Sequence, residues 1–298
     1  MNPLPRRTAI GLVVGSGVSA VLSGCHASSP ATTSATSIPP TTESPQALAT
    51  ARLARSGLSP AAAPVPGATG VSTAVNSAAV VVGTVPASAV NTLATLAMSY
   101  TPTLAQLCSI PAPRESTLIL APATAAEYDR WTNQSLNPEE RGVTVVVEHV
   151  APWIALKPAL TTAEQQNVLA HEMLHALTLT PQARATQPLW LTEGFAQLAA
   201  TDVTSVQALS AKPPPAAHLP SNAQFVADSG TSYVLAFLFA VFLQIRRKDA
   251  VSAFYTPAVT SNPADLNALA RRVFGADIAG LTRQWQTSYS AELRKLAG

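Results

Sequence analysis

Read as a pattern of apolar and polar positions, the chain falls into three stretches. Ala9–Leu22 is a short apolar run with Arg6 and Arg7 before it and Ser23, Gly24 and Cys25 after it. From Cys25 to about residue 70 the sequence is rich in Ser, Thr, Pro and Ala, and Ser28–Pro45 has no hydrophobic period and a single charge, Glu43. Such a segment cannot bury enough apolar surface to offset chain entropy, so 25–70 is expected to be a disordered tether with a short helix over Gln46–Leu58. Beyond residue 71 the pattern becomes periodic. Ala78–Val82 is a β-branched apolar run closed by Gly83, a buried strand. Pro86 opens a helix from Ala87 to about Met98 that resumes over Thr103–Cys108 after Pro102. Thr117–Leu120 reads as a second strand, Thr124 as the cap of a helix carrying Tyr128 and Trp131, Asn137-Pro138 as a turn, and Val143–Val150 as a third strand.

The C-terminal half is helical in pattern. Thr161-x-x-Glu164 is a capping box that starts a helix running to about Thr180, where Pro181 stops it. A second helix begins at Thr192, a Pro-rich loop follows at Lys212–Pro220, and Ser232–Arg247 is an apolar helix with its cations at the C-terminal end. Asn262-Pro263 opens another helix to Phe274-Gly275, and Leu281–Leu296 is the last. Strands among helices, then helices alone, predict an α+β domain over 71–298: a small N-terminal mixed β-sheet followed by a mostly helical lobe.

Composition narrows the function. The 298 residues carry 18 Lys+Arg and 16 Asp+Glu, and removing Arg6 and Arg7 with the leader leaves 16 against 16. A neutral chain lacks the basic excess that drives phosphate-backbone binding, so no nucleic-acid partner is expected. The longest apolar run after the leader, Val234–Leu243, is too short to span a bilayer. A cationic start, a short apolar core and small residues at a cleavage point make residues 1–24 a secretory signal. Leu22-Ser23-Gly24-Cys25 resembles the bacterial lipobox, which implies lipidation of Cys25 and an extracytoplasmic, membrane-anchored protein. Arg6-Arg7 also has a faint twin-arginine look. With Cys25 lipidated, Cys108 is the remaining thiol, and its apolar setting of Leu104 and Leu107 predicts a buried, inert side chain.

The chemistry gathers at His171-Glu172-Met173-Leu174-His175. On a helix, residues four apart share a face, so His171 and His175 can offer imidazole nitrogens to one tetrahedral cation. Glu172 is rotated away from that pair, beside the open position, where it can carry a proton from water to a leaving amine. The apolar neighbours Val168, Leu169, Met173, Leu174 and Leu177 predict a buried helix, and buried His and Glu need a partner such as a cation. A third ligand of the metzincin type is excluded, because Thr178 and Pro181 stand where Gly and His would be needed. Glu193, 18 residues after His175, lies on the next helix and can swing onto the same ion; a helix-start Glu complementing the macrodipole is the other reading. Gly194 and Ala196 are small enough to let two helices approach closely.

This motif followed by Trp190-Leu191-Thr192-Glu193-Gly194-Phe195-Ala196 resembles the gluzincins, in particular the peptidase-MA-like proteins and the aminopeptidase N group. The resemblance spans about residue 75 to the C-terminus. It implies a thermolysin-like zincin fold, Zn2+ held by His171, His175 and Glu193, and Glu172 as general base. Ser232-Tyr233 before Ala236-Phe237 resembles the segment carrying the family's oxyanion-stabilising tyrosine, which points to Tyr233; a core Tyr opening an apolar helix is the alternative. The Gly-Ala-Met-Glu-Asn exopeptidase motif is absent, and the His175-to-Glu193 gap is a little short for the family. Val143–Val147 would be the edge strand offering backbone partners to an extended peptide. Glu148, His149 and His218 are expected as surface groups. The expectation is a membrane-anchored zinc peptidase acting on a peptide or protein substrate. Its alternatives are a catalytically silent binding module on the same fold, or zinc hydrolysis of an ester or epoxide.

Overall fold

The computed structural model describes residues 43–133, 141–201 and 217–297. The signal segment, Cys25, the first part of the tether, the Asn137-Pro138 turn and residues 212–216 of the Pro-rich loop lie outside the described residues. In chain order the elements are α1 (Pro45–Ala54), β1 (Ser72–Val75), β2 (Ala79–Gly83), α2 (Ala87–Cys108), β3 (Thr117–Ala121), α3 (Ala125–Thr132), β4 (Gly142–Val147) and β5 (Val150–Leu156). Helices follow: α4 (Thr162–Thr178), α5 (Pro181–Thr186), α6 (Leu189–Ala200), α7 (Asn222–Ala227), α8 (Ser229–Arg246), a π-turn at Val251–Tyr255, α9 (Thr256–Thr260), α10 (Leu266–Phe274) and α11 (Ile278–Ala297). The class is α+β, as the pattern implies.

The strands form one mixed sheet in the order β1-β2-β3-β5-β4, with β2, β3 and β5 parallel and both outer strands antiparallel to their neighbours. Alternation along the strands feeds two separate cores. Val81, Ile119 and Ile154 point to the face carrying α2 and α4, whereas Val80, Val82, Leu118, Leu120 and Trp153 point to the other face. Because both faces are covered, β2 and β3 are buried at every position, which is why they read as unbroken apolar runs.

The second face changes the domain boundary. Ala49 and Leu53, four apart on α1, pack against Val82, Leu120 and Trp153. Arg52 Nε donates to the Ser116 carbonyl at 2.9 Å, and Trp153 Nε1 donates to the Ser56 carbonyl at 3.1 Å. The expected tether therefore stops short of α1, and the packed body begins there instead of at residue 71. Val143–Val150 is likewise two strands of a hairpin, turned at Glu148 and His149, with His149 in the left-handed region (φ 61°). α2 runs through Pro102 without a break, where two segments are expected.

α8 is the spine of the helical lobe. Leu235–Leu243 is buried on every side, so the helix lacks a solvent stripe. At 18 residues it has the length and apolarity to cross a membrane, contrary to the run-length estimate, yet it is enclosed by its own fold. Each Leu or Phe removed from water there contributes about 1.5–3 kcal/mol. α6 lies between α4 and α8, and Gly194 makes that packing possible: a Cβ there would stand 2.5 Å from the Ala236 carbonyl oxygen. The close approach expected of Gly194 is thus to α8.

Candidate metal centre

The capping box at Thr161 and Glu164 starts α4 as expected, with both reciprocal hydrogen bonds formed. Its last two turns carry His171, Glu172 and His175, all buried, against β4 and α6. α5 and its flanks make the connection to α6, which starts at Leu189, three residues earlier than the sequence suggests. Glu193 is therefore in the second turn of its helix and 3% exposed, so it does not serve as a solvated charge at a helix start.

Three ligand atoms converge. His171 Nε2 is 3.2 Å from Glu193 Oε2, His175 Nε2 is 3.2 Å from His171 Nε2, and His175 Nε2 is 3.4 Å from Glu193 Oε2. The rings stand edge to face, 80° apart. Donors bonded to a tetrahedral ion at roughly 2.0–2.1 Å are about 3.3–3.4 Å from one another, so these spacings suit such an ion. Proton counting agrees. With the carboxylate ionised, no arrangement of imidazole protons gives all three close pairs both a donor and an acceptor. If both Nε2 atoms carry hydrogen they oppose each other, and if one lacks it that nitrogen faces the oxygen lone pair to lone pair. A cation accepts all three lone pairs at once. The buried His-His-Glu group can hold a metal ion. On the outer side of one ring, His175 Nδ1 is buried and finds, among the described residues, no carbonyl or carboxylate of the kind that commonly braces a ligating imidazole.

Glu172 turns away from this trio. Its Oε2 accepts from the Thr144 hydroxyl at 2.7 Å, and the same hydroxyl lies 2.9 Å from the Glu172 carbonyl. Tyr233, half-buried at the start of α8, donates to Glu193 Oε2 at 3.3 Å, its ring held edge-on against Phe225. One small cleft, of about 30 Å³, is lined by His171, Glu172, His175, Glu193, Tyr233, Thr144 and Arg184 among others. All five residues singled out in the sequence for this chemistry thus meet at one place; Cys25 is outside the described residues.

Two wall residues escaped the sequence reading. Thr144 sits in a β-branched run where nothing marks it as different from its neighbours, and Arg184 lies on α5, in the stretch between Pro181 and Thr192 where the pattern predicts no element. Glu148, His149 and His218 are exposed, as expected. Cys108 is buried, and burial pushes its thiol up to about 11. No family model matches the chain, and no curated protein matches it.

Proposed function

We propose that the chain is a zinc-dependent peptidase of the gluzincin kind, with a thermolysin-like zincin body, held by lipid on Cys25 at the outer face of the cell membrane. The observation that carries this reading is the meeting of three ligand atoms at tetrahedral spacing with a separate buried carboxylate in the same cavity. His171, His175 and Glu193 would hold the zinc, which when bound polarises a carbonyl and lowers the pKa of water.

Glu172 is the proton carrier. Its carboxylate is buried, and the Thr144 hydroxyl fixes one oxygen. It takes a proton from the water that adds to the peptide carbon and passes it to the amine nitrogen as the C–N bond breaks. Tyr233 has the reach to move its hydroxyl from Glu193 to the substrate oxygen as that oxygen gains charge, a hydrogen bond made strongest in the transition state. Val143 and Leu179 supply the apolar part of the wall.

The test pairs metal analysis with a peptide-library digest. Stoichiometric zinc, chelator-sensitive cleavage, and a Glu172→Gln variant that keeps the zinc but loses cleavage are the expected results. Absence of zinc, or undiminished cleavage by Glu172→Gln, would refute the reading. Full zinc occupancy with no cleavage of any peptide would favour a binding module.

A further inference from the structure

Gly142 opens β4, is buried, and lines the cleft that holds the His-His-Glu group. The ladder runs on past it, since the Lys157 N–H donates to the Arg141 carbonyl. Glycine inside a strand weakens it, and where it occurs it marks a bulge, a sharp bend or a close approach. The bulge of β4 lies elsewhere, between Val145 and Val147, while Gly142 pairs in register with Leu156. Its backbone is not in the left-handed region, so the path of the chain does not call for glycine there. Close approach remains. A Cβ at this position would stand 2.7 Å from Val168 Cγ1, 3.2 Å from Glu172 Cγ and 3.4 Å from the Ala155 carbonyl oxygen.

Val168 and Glu172 are four residues apart on α4, so they share the face that meets this glycine. Thr144, two residues along the strand, turns its side chain to the same face, and its hydroxyl donates to Glu172 Oε2 at 2.7 Å. β4 thus meets Glu172 twice: at the stem, over a Cα with no side chain, and at the carboxylate, through a hydroxyl. With the head held by Thr144, a group pushed under Cγ tilts the carboxylate. Val168 does not yield in its place, because a β-branched side chain on a helix has one strongly favoured rotamer. The three atoms nearest the added Cβ belong to Val168, Glu172 and Ala155, and none of these is a metal ligand.

We infer that Gly142 is a positioning residue for Glu172: the missing side chain there sets where the carboxylate stands relative to the His-His-Glu group. This rests on the peptidase reading for what Glu172 does. Peptide hydrolysis by the zinc-loaded full chain is compared in four forms: unaltered, Gly142→Ala, Val168→Ala and the double variant. Gly142→Ala should lower kcat roughly tenfold with KM and zinc affinity within about threefold, because the displacement falls on the proton carrier and not on the ligands. Val168→Ala removes the tighter contact and leaves the one to Glu172. With Val168→Ala as the reference, the added methyl should leave Tm unchanged and still lower kcat by more than about threefold.

A merely structural glycine gives a different result in that background: kcat recovers together with Tm, which overturns the inference. So does a Gly142→Ala chain whose kcat stays within about threefold of the unaltered one. Should Gly142→Ala fail to fold, the pair in the Val168→Ala background decides. If the unaltered chain cleaves no peptide, the peptidase reading falls, and crystal structures of the unaltered and Gly142→Ala chains decide the inference instead. A Glu172 carboxylate displaced by about 0.5 Å or more relative to His171 and His175 supports it, and an unmoved one overturns it.

Discussion

Gly194→Ala is the most informative substitution in the helical lobe, because two effects of opposite sign compete there. In an exposed helix interior, Ala is favoured over Gly by about 1 kcal/mol. At this position the new Cβ would lie 2.5 Å from the Ala236 carbonyl oxygen and 2.8 Å from its carbon, inside any real Cβ contact. The obstacle is backbone, so it cannot swing away. Restoring 3.0–3.4 Å requires α6 and α8 to separate by about 0.5–0.9 Å. Overpacking of this kind costs typically 1–3 kcal/mol, which exceeds the propensity gain over most of that range. The net expectation is a loss of up to about 2 kcal/mol, or up to roughly 8 °C in Tm at this size. Tyr233 on α8 is 3.3 Å from Glu193 on α6, so the same separation would break that hydrogen bond. Calorimetry on the metal-free chain reads the stability, and zinc titration reads the site. Ala236→Gly should not rescue, because the clash is with the carbonyl and the Ala236 methyl is already 3.3 Å away. A Gly194→Ala chain with a raised Tm and an undisturbed zinc titration would refute the close-approach argument.

Thr144→Val keeps the shape of the side chain but removes the donor to Glu172; it should lower stability by about 1–3 kcal/mol and peptide turnover by roughly tenfold to a hundredfold, while Thr144→Ser restores most of both. Unfolding curves and a kcat-against-KM comparison check this, and a fully active Thr144→Val chain would contradict it. Cys108 should resist a thiol-directed reagent at pH 8 while the chain is folded and react once it is unfolded in urea, since the thiolate forms only near pH 11; labelling of the native chain would be the contrary result. Backbone hydrogen bonding from Thr161 holds the Glu164 carboxyl below its ordinary 4.5; burial opposes this, and the Thr161 hydroxyl, Arg141 and Lys157 add to it. A depressed carboxyl contributes stability that is present above 4.5 and is lost as pH falls through the lower folded value, so Glu164→Gln should cost stability at pH 7 and flatten the acid side of the Tm-against-pH curve. An unchanged acid limb would show that the cap carries none of the pH dependence.

The site was far more legible than the sheet. α4 announces itself by its capping box, and four-residue spacing on a helix fixes which side chains share a face, so His171 and His175 needed no tertiary knowledge. Glu193 needed only the next helix to turn back. The hairpin of β4 and β5 was hidden because its turn uses Glu148 and His149 in place of Gly or Asn, and because Pro152 inside β5 argues against a strand. The register of these strands, and with it the position of Thr144, depends on pairing that no local pattern encodes. The helix α1 is legible in the sequence, but its docking on the sheet is not: its buried face is only Ala49, Arg52 and Leu53, too little apolar surface to mark it as part of the packed body.

The docking of α1 also fixes a direction. It covers the sheet on the face opposite α4, so α1 and the His-His-Glu group lie on opposite sides of the sheet. A partner that bound the face covered by α1 would leave the side of the sheet that carries His171 and His175 uncovered.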